Sequence, residues 1–305
     1  MNSKIEYTAR SNCELRKLNF QKCKPSFKTV VRIKDHESRL GVFDVVSCSS
    51  CNLGFTNPYP TEETTRLLYD SKQSGDFDVI KNSLVDRIKD HLSTKLLKRV
   101  ACGKKVKNVL DYATGNGRFA YSALTAFKEA NVVAVDYQST PPPLFLINKH
   151  NHRIKYTEIS DEIFKKEKYD LIILRHVLEH AHHPVELVKL LASLLSPEGI
   201  LYIEVPNLKS GCAKIFGKYW KGYYVPRHIF HFTKQSLSEV IQLAGVCGKI
   251  EEIEMPLMGN TISIITGIDK KNLLVQLFGI LLHPLQVLIE LVSGGSTVLA
   301  ARISK

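Results

Sequence analysis

The stretch VLDYATGNGRF, residues 109–119, decides the fold of this chain. A short apolar run ends in Asp111, and a loop with Gly115 and Gly117 follows at once. Glycine permits the tight turn that such a loop needs, and it lets a ligand approach the backbone closely. The stretch therefore predicts a strand, a ligand-binding loop and a helix in succession.

Short β-branched runs alternate with helical patterns from residue 106 onward. The predicted strands are 106–111, 131–136, 153–159, 169–175 and 199–205, and the predicted helices lie near 117–129 and 184–195. Almost wholly apolar strands separated by helices indicate an α/β fold with a parallel sheet covered on both faces. Ligands of such sheets bind at the carboxyl ends of the strands.

The acids at the strand ends indicate which cofactor the loop holds. Asp136 ends the second strand, where an acid accepts hydrogen bonds from the two hydroxyls of a ribose. GNGRFA (115–120) also fits the dinucleotide pattern G-x-G-x-x-A, which leaves NAD or FAD as an alternative. A pyrophosphate, however, would face the Asp111 carboxylate, and like charges repel in a partly dry site. S-adenosylmethionine carries an ammonium, a sulfonium and no phosphate, so the pattern favours it.

Three segments carry a family resemblance. VLDYATGNGRF resembles the first motif, D-x-G-x-G-x-G, of class I S-adenosylmethionine-dependent methyltransferases. Residues 169–207 resemble the branch that includes ubiquinone-biosynthesis O-methyltransferases, and residues 216–245 resemble a block of bacterial methyltransferases from sugar and polysaccharide clusters. The resemblance implies a Rossmann-like, doubly wound, mostly parallel sheet of seven strands. The match to the first motif assigns Asp111, Ala113, Gly115 and Gly117 to the cofactor, and the predicted cofactor residues also include Asp136 and Arg175.

Two departures from the family pattern bear on the cofactor site. Ala113 stands where the motif has glycine, and we expect the loop to tolerate it if the backbone angles there are ordinary. The segment YQSTPPPLFLINKHNH (137–152) replaces the helix that usually follows Asp136. Its prolines cannot lie inside a helix, although they can precede a short one at Leu144. Residues 158–160 are expected near the adenine.

The histidines of RHVLEH (175–180) and PRHIFHF (226–232) are candidates for removing a proton from the acceptor. The predicted catalytic residues are His176, His180 and His228, with Glu179 as a further candidate. Some relatives hold a divalent metal with Glu and His at these positions. Arg175 and His176 stand where those relatives carry acids, so we expect no metal assistance. A capped, purely structural histidine is the alternative for each.

YWKGYYVPRHIFHF (219–232) concentrates aromatic residues, histidines and an arginine. Such a mixture predicts a wall for a sugar, ring or lipid head group, although aromatics at this density also pack ordinary cores. An arginine there is suited to a phosphate or carboxylate. The predicted substrate contacts are Trp220, Tyr223, Arg227 and His231.

The cysteines near the start leave a zinc site open. Cys48 and Cys51 have the C-x-x-C spacing of a zinc knuckle, and a structural site needs four ligands. The related N-terminal ribbons usually have two such knuckles. Here only Cys13 and Cys23 lie upstream. A zinc ribbon held by these four cysteines and a degenerate ribbon without metal are both compatible with the sequence.

The helical patterns outside the α/β region lie on either side of it. A helix is predicted over 78–101, with a stripe of apolar residues at every fourth position from Ile80 to Val100. The segment 273–292 is mostly apolar but contains Pro284, Gln276 and Glu290. A buried or dimer-forming helix pair, contact with a membrane surface and a spanning helix are its alternatives. A last strand is expected after it.

These patterns divide the chain into a ribbon-like module at 1–60, a helical connector at 61–105 and a methyltransferase domain at 106–305 with an apolar insertion at 271–293. Seven loosely spread cysteines do not form a disulfide framework, and the first residues lack a secretion signal. We therefore expect a cytoplasmic protein, with contact to the inner membrane face as an alternative.

The net charge of +12 is consistent with a soluble basic surface, and we expect no nucleic acid partner. The predicted activity is O-methylation of a small molecule, sugar or lipid-linked acceptor. A non-catalytic binding scaffold and an NAD-dependent oxidoreductase are the alternatives.

Overall fold

The computed structural model describes residues 5–9, 26–36, 39–69, 84–137, 141–142, 145, 152–160, 168–255, 258–268 and 272–304. Within these ranges the chain forms a seven-stranded sheet, a four-stranded sheet and a two-stranded sheet.

The N-terminal strands are β1 (Tyr7–Thr8), β2 (Phe27–Lys34), β3 (Val42–Cys48), β4 (Gly54–Asn57) and β5 (Tyr59–Pro60). Strands β2, β3 and β4 form an antiparallel meander, and β1 pairs with β5. The predicted strands at 27–34 and 41–48 are confirmed to within a residue.

Two helices precede the large sheet, namely α1 (Glu62–Thr65) and α2 (Leu84–Ala101). A 3₁₀ turn at Arg66–Tyr69 follows α1 directly. The predicted apolar stripe of α2 is wrong in its middle, because Ile88 and Leu92 are exposed. Positions four residues apart drift by roughly 40° per step around a helix with 3.6 residues per turn. A stripe that long therefore cannot stay on one face.

The first half of the large α/β unit comprises β6 (Asn108–Tyr112), α3 (Arg118–Ala126), β7 (Asn131–Asp136), β8 (Ile154–Glu158), β9 (Tyr169–Arg175), α4 (Pro184–Ser193) and β10 (Leu195–Pro206). The second half comprises α5 (Gly211–Phe216), β11 (Phe230–His231), α6 (Lys234–Leu243), β12 (Gly248–Ile253), α7 (Met258–Thr266), α8 (Leu273–Leu281), α9 (His283–Ser293) and β13 (Val298–Ser304). The predicted strands at 131–136 and 169–175 match β7 and β9 residue for residue.

The large sheet has the strand order β12-β13-β10-β9-β6-β7-β8. Strands β6 to β10 run parallel, and β13 pairs antiparallel with both β10 and β12. The predicted doubly wound, mostly parallel seven-stranded sheet is confirmed. Its order brings the carboxyl ends of β6, β7, β9 and β10 to one edge.

Both faces of the five inner strands are buried, as wholly apolar strands require, whereas the edge strands β8 and β12 are partly exposed. Leu110 and Ile172 pack into one hydrophobic cluster, whereas their neighbours Val109 and Leu171 pack into the cluster on the opposite side. Successive side chains of a strand point to opposite faces, so each strand contributes to two cores. The site at the sheet edge therefore stands on a rigid base.

The N-terminal meander is joined to the large unit by a strand from far along the chain. Phe230 and His231 of β11 pair antiparallel with Phe55 and Gly54 of β4. The backbone N–H of Ile229 donates to the carbonyl oxygen of Glu179 at 2.8 Å. The predicted module boundaries stay predictions. Strands from both sides of these boundaries, β4 and β11, pair with each other.

The apolar segment forms the helices α8 and α9, which meet at Leu282. Among the described residues no single helix combines the length and apolarity of a bilayer span, whereas α8 and α9 together meet those criteria across a bend of 44°. Leu281 and Leu291 are each 71% exposed, so the helix pair is not buried within this chain, and the dimer-forming and membrane-surface alternatives stay predictions.

Candidate active site

A cavity of about 1390 Å³ opens at the carboxyl edge of the large sheet. The glycine loop after β6 and the end of β7 line one side of it, through Asp111, Gly115 and Asp136. The segments after β9 and before β11 line the other side, through His180 and His228. The cavity therefore joins the predicted cofactor residues to the predicted proton acceptors.

Hydrogen bonds tie the glycine loop to the strands beneath it. The hydroxyl of Thr114 donates to Oδ2 of Asp111 at 2.5 Å, and the N–H of Gly115 donates to Oδ2 of Asp136 at 2.8 Å. The N–H of Tyr137 donates to the other oxygen of Asp136 at 2.8 Å. Each carboxylate oxygen has a second lone pair, so Asp136 retains acceptor capacity toward the cavity.

Burial shifts the titration of both acids. Desolvation raises the pKa of Asp111 to about 6, although the Thr114 hydroxyl and the nearby Arg175 favour the charged form. Desolvation also raises the pKa of Asp136, against the two N–H donors from Gly115 and Tyr137. Asp111 is therefore charged above about pH 6 and becomes neutral in mild acid.

The backbone angles at Ala113 are not ordinary, which corrects the sequence expectation. Its φ is 54°, in the left-handed region that a side chain disfavours. The glycine of the family motif is therefore replaced by alanine at a position where glycine is conformationally suited. His176 (φ 53°) and Tyr224 (φ 38°) share this geometry and line the same cavity. Strained backbone of this kind persists only where the surrounding structure enforces it, and it is concentrated at functional sites.

Gly117 has a supporting role rather than a place on the cavity wall. It precedes α3 with a φ of 81°, and a methyl group added to it would meet the Phe145 ring at 2.3 Å. The Phe145 ring contacts the rings of Tyr121 and Tyr156 at tilted angles, with centroids 5.3 and 5.1 Å away. Glu158, two residues after Tyr156, lines the cavity. The predicted short helix start at Leu144 lies outside the described residues.

Arg175 is held at the end of β9 by a carboxylate that the sequence analysis missed. Its Nε donates to Oε2 of Glu204 on β10, and its guanidinium lies 3.6 Å from the centre of the Phe119 ring. Tyr202 donates its hydroxyl to Oε1 of Glu204 at 2.5 Å. A charged residue within the apolar run 199–205 was the available signal, because a buried charge requires a partner.

The pKa of Glu204 lies below its ordinary value despite complete burial. Desolvation alone would raise it, but the charges of Arg175 and His176 and the Tyr202 hydroxyl outweigh that effect. Nε2 of His176 lies 3.8 Å from Oε2 of Glu204. Glu204 therefore stays ionised and fixes two residues of the cavity wall, Arg175 and His176.

Glu179 is the buried acid at the centre of the histidine cluster. It is 1% exposed, and neither carboxylate oxygen has a hydrogen-bond partner among the described residues. Its Oε1 lies 3.4 Å from Nδ1 of His176 and 3.8 Å from Nε2 of His228. A buried, unsatisfied carboxylate is costly, so its place beside the cavity points to a partner that arrives with the ligands.

Backbone carbonyls select the tautomers of two histidines. Nδ1 of His180 lies 2.9 Å from the carbonyl oxygen of Arg227, and Nδ1 of His228 lies 2.8 Å from that of Gly222. A carbonyl only accepts, so each Nδ1 carries the proton and each Nε2 is the acceptor in the neutral ring. The Tyr69 hydroxyl also contacts Nδ1 of His180, at 2.7 Å.

The two rings differ in their surroundings. Burial, together with the neighbouring His180, His231 and His176, places the pKa of His228 well below its ordinary value. His180 is only partly buried and lies 4.6 Å from the His228 ring, edge to face. His228 therefore stays neutral near pH 7 and is a poor proton acceptor in comparison with an ordinary histidine.

Glu179, His180 and His228 also have the composition of a metal site. One ligand atom of each lies within 4.8 Å of the others. The expectation of no metal assistance rested on Arg175 and His176, and the structure places neither of them in this triad. That expectation stays a prediction.

The aromatic block 219–232 does not form one wall. Trp220 and Tyr223 are buried and line a second cavity of about 450 Å³. Lys221 and Tyr224 line both cavities, and Tyr224 was not among the predicted contacts. The sequence thus predicted that this block lies near the site, but it did not predict which of its side chains line the main cavity.

Arg227 and His231 are corrected from substrate contacts to structural residues. Arg227 is fully buried, and its Nε and Nη2 donate to the carbonyl oxygen of Leu68 at 3.2 and 2.8 Å. His231 contacts the Thr56 hydroxyl at 2.9 Å, and burial lowers its pKa to about 3. Neither residue is among those that line the main cavity.

The cysteine pair lies in the N-terminal meander, where Cys48 and Cys51 are both buried. Cys13 and Cys23 lie outside the described residues. The zinc ribbon therefore stays a prediction.

Comparison with known proteins relates the chain to methyltransferases. Residues 85–246 match the family model described as a methyltransferase domain. The chain is 30% identical over 141 residues to the ubiquinone biosynthesis O-methyltransferase of Actinobacillus pleuropneumoniae serotype 7 (strain AP76). That alignment covers 42% of this chain and 58% of the relative, so the chain spans less than two thirds of the curated protein.

Two solved structures share the fold. One is Haemonchus contortus phosphoethanolamine N-methyltransferase 2 in complex with S-adenosyl-L-methionine, with a TM-score of 0.54, 15% identity and coverage of 92% of this chain and 68% of that one. The other is the plantazolicin methyltransferase BpumL in complex with a monoazolic desmethylPZN analog and SAH, with a TM-score of 0.51, 15% identity and coverage of 79% and 93%. At such identities the likeness is one of fold.

Proposed function

The chain belongs to the methyltransferase domain family, and we propose that it transfers the methyl group of S-adenosylmethionine to an oxygen atom of its acceptor. One observation carries this proposal. A single cavity joins the acid-bearing glycine loop, with Asp111 and Asp136, to a histidine cluster with selected tautomers. Methyl transfer to a hydroxyl needs both ends, since the nucleophile must be aligned and its proton removed.

The cofactor end fits a cationic, phosphate-free adenosine compound. Asp111 and Asp136 are buried acids on the cavity wall, where a pyrophosphate would be repelled. Asp111 attracts the ammonium group of the methionyl moiety, and Asp136 accepts from the ribose hydroxyls with its remaining lone pairs. Bound S-adenosylmethionine supplies an electrophilic methyl group and a neutral thioether as the leaving group.

His180 is the proposed general base. Its Nε2 lone pair would take the proton of the acceptor hydroxyl when that oxygen receives the methyl group that bound S-adenosylmethionine supplies. Glu179 lies within 4.8 Å and stabilises the resulting imidazolium. Tyr69 and the Arg227 carbonyl hold the ring, and His228 provides a neutral, immobile neighbour.

Two further residues of the predicted catalytic and cofactor sets have proposed positioning roles. His176 keeps the Glu179 carboxylate oriented through its contact at 3.4 Å. Arg175, paired with Glu204 and stacked on Phe119, shapes the wall between the cofactor and acceptor ends. The proposed acceptors are a small molecule, a sugar or a lipid-linked glycan, bordered by Tyr224 and Lys221.

Calorimetric titration of the full chain tests the proposal. We expect S-adenosylhomocysteine to bind and NAD not to bind under the same conditions. Binding of NAD alone would favour the oxidoreductase alternative. Binding of neither, together with salt-sensitive binding to a polyanion, would favour the non-catalytic scaffold.

A further inference from the structure

Helix α9 is amphipathic in the opposite sense to an ordinary surface helix. Gln286 and Glu290, one turn apart, are 0% and 3% exposed and face the body of the protein. The Gln286 amide donates to Oε1 of Glu290 at 2.8 Å and to the carbonyl oxygen of Met255 at 2.6 Å. Thr297 donates its hydroxyl to Oε1 of Glu290 as well, and its N–H to Oε2 at 3.2 Å.

Most of the described apolar side chains of both helices are exposed, with Val275 of α8 buried. On α9 the exposed set is Leu285, Leu288, Leu291 and Val292, and on α8 it is Leu274, Leu277, Phe278, Ile280 and Leu281. A surface helix of a water-soluble protein turns its apolar stripe to the core. A contiguous apolar patch of this kind marks a surface that contacts an apolar partner.

The charges around this face favour lipid as that partner. Within the described parts of α7, α8 and α9 the one carboxylate is Glu290, which is buried. Helix α5 packs beside α9, and Nζ of Lys214 donates to the carbonyl oxygen of Ser293 at 3.0 Å. Lys209 and Lys218 flank α5 and are exposed, and Ile215 between them is exposed too. Apolar side chains on α8 and α9 beside the lysines of α5 form the pattern of an interfacial membrane element, although the exposed Glu252 accepts from the N–H of Ser296 just after α9.

The same charges disfavour a second copy of this chain. A two-fold interface through α8 and α9 would bring together two chains that each carry a net charge of +12, with the lysines of α5 beside the contact. Nothing acidic on the exposed parts of α8 and α9 would offset them. An anionic lipid surface offsets them directly.

We propose that α8 and α9 dock on an anionic membrane surface, with their apolar side chains among the acyl chains and the lysines of α5 at the phosphate level. This inference goes beyond methyl transfer and does not depend on it. It does connect to the cavity, because α7 packs on α8 and its Asn260 lines both the main and the second cavity.

Flotation of the full chain with vesicles tests the proposal. One set contains phosphatidylcholine with one third phosphatidylglycerol, and the other contains phosphatidylcholine alone. We expect flotation with the anionic set, and a loss by more than about tenfold for the double variant Leu288→Glu with Leu291→Glu. The control is Ile88→Glu with Leu92→Glu, which changes two apolar residues of α2 that are 51% and 56% exposed and is expected to float like the wild type.

A second variant separates charge from apolar contact. Lys214→Glu with Lys218→Glu is expected to weaken binding to the anionic vesicles by about fivefold per lysine, with little change for the neutral set. Circular dichroism and titration with S-adenosylhomocysteine verify that every variant folds. These readouts also separate failure of docking from failure of the proposed function.

Two outcomes would overturn the docking proposal. One is equal flotation of the wild type and the Leu288/Leu291 variant. The other is a wild type that does not bind vesicles and sediments as a dimer, while the Leu288/Leu291 variant sediments as a monomer. The apolar face would then be covered by a second copy of the chain.

Discussion

The hydroxyl of Thr114 lies 2.5 Å from Oδ2 of Asp111, inside the loop that the cofactor is proposed to contact. This hydrogen bond favours the charged form of Asp111, whereas burial raises its pKa to about 6. The affinity for a cationic ligand should therefore depend on pH. Because the ionised form attracts the ligand, affinity is expected to fall as the pH drops through about 6.

Titration calorimetry with S-adenosylmethionine from pH 5 to pH 8 measures this dependence. Thr114→Val removes the donor, so the midpoint is expected to move to higher pH. Asp111→Asn should bind more weakly above pH 6, by roughly tenfold or more, and lose the pH dependence. An unchanged profile in Asp111→Asn would exclude Asp111 as its source.

Replacing Ala113 by glycine should stabilise the protein. The residue has a φ of 54°, and relief of this left-handed strain is expected to contribute about 1 kcal/mol to the free energy of unfolding. Urea denaturation of Ala113→Gly measures the change. Ala120→Gly, in the interior of α3, is the control and should destabilise instead, by about 1 kcal/mol. A destabilised Ala113→Gly would show that the strain does not limit stability.

His180→Gln should lower kcat by about 10²- to 10⁴-fold and leave the affinity for S-adenosylhomocysteine unchanged. The reason is that glutamine preserves polar contacts but cannot take the proton. His231→Gln is the matched control, since that histidine is buried away from the cavity. Its folded fraction should retain wild-type kcat. A full rate in His180→Gln would assign the proton to another group, with His176 and His228 tested next.

Glu204→Gln should destabilise the fold by about 1–3 kcal/mol, because the Arg175 guanidinium and the Tyr202 hydroxyl lose a buried anion. The pKa of Glu204 is lowered in the folded state, so its contribution is present above its ordinary pKa of 4.5 and is lost as the pH falls below that value. Unfolding free energies of wild type and variant, measured from pH 3 to pH 7, should converge at the acidic end. A difference in unfolding free energy that stays constant from pH 3 to pH 7 would show that the pKa of Glu204 is not lowered in the folded protein.

One zinc per chain is expected if Cys13, Cys23, Cys48 and Cys51 form the predicted ribbon site. Elemental analysis of the purified protein measures the content, and Cys48→Ser with Cys51→Ser should abolish it. Zinc that persists in this double variant would have to lie elsewhere, with the triad of Glu179, His180 and His228 as the place to examine.

Local patterns predicted the sheet because each depends on neighbours in the chain. The β-branched apolar runs 131–136 and 169–175 are short enough to indicate strands, and both are strands in the structure. The methyltransferase family could also be predicted from the sequence, because each of its motifs is a continuous stretch of residues, and the match of residues 85–246 to the family model confirms it. The sequence alone thus determined the α/β architecture, the glycine loop after β6 and the group of histidines that surround the cavity.

Only the tertiary structure decided which of these side chains face the cavity. Tyr224 lines it while Arg227, three residues on, is enclosed by packing and donates to Leu68 from another segment. The role of Glu204 became visible only through its contact with Arg175, which connects the neighbouring strands β10 and β9. The polar side chains of α9 are buried because Gln286 donates to the carbonyl oxygen of Met255 and Glu290 accepts from the N–H of Thr297. Burial and pairing depend on residues distant in sequence, and their geometry exists only once the chain has folded.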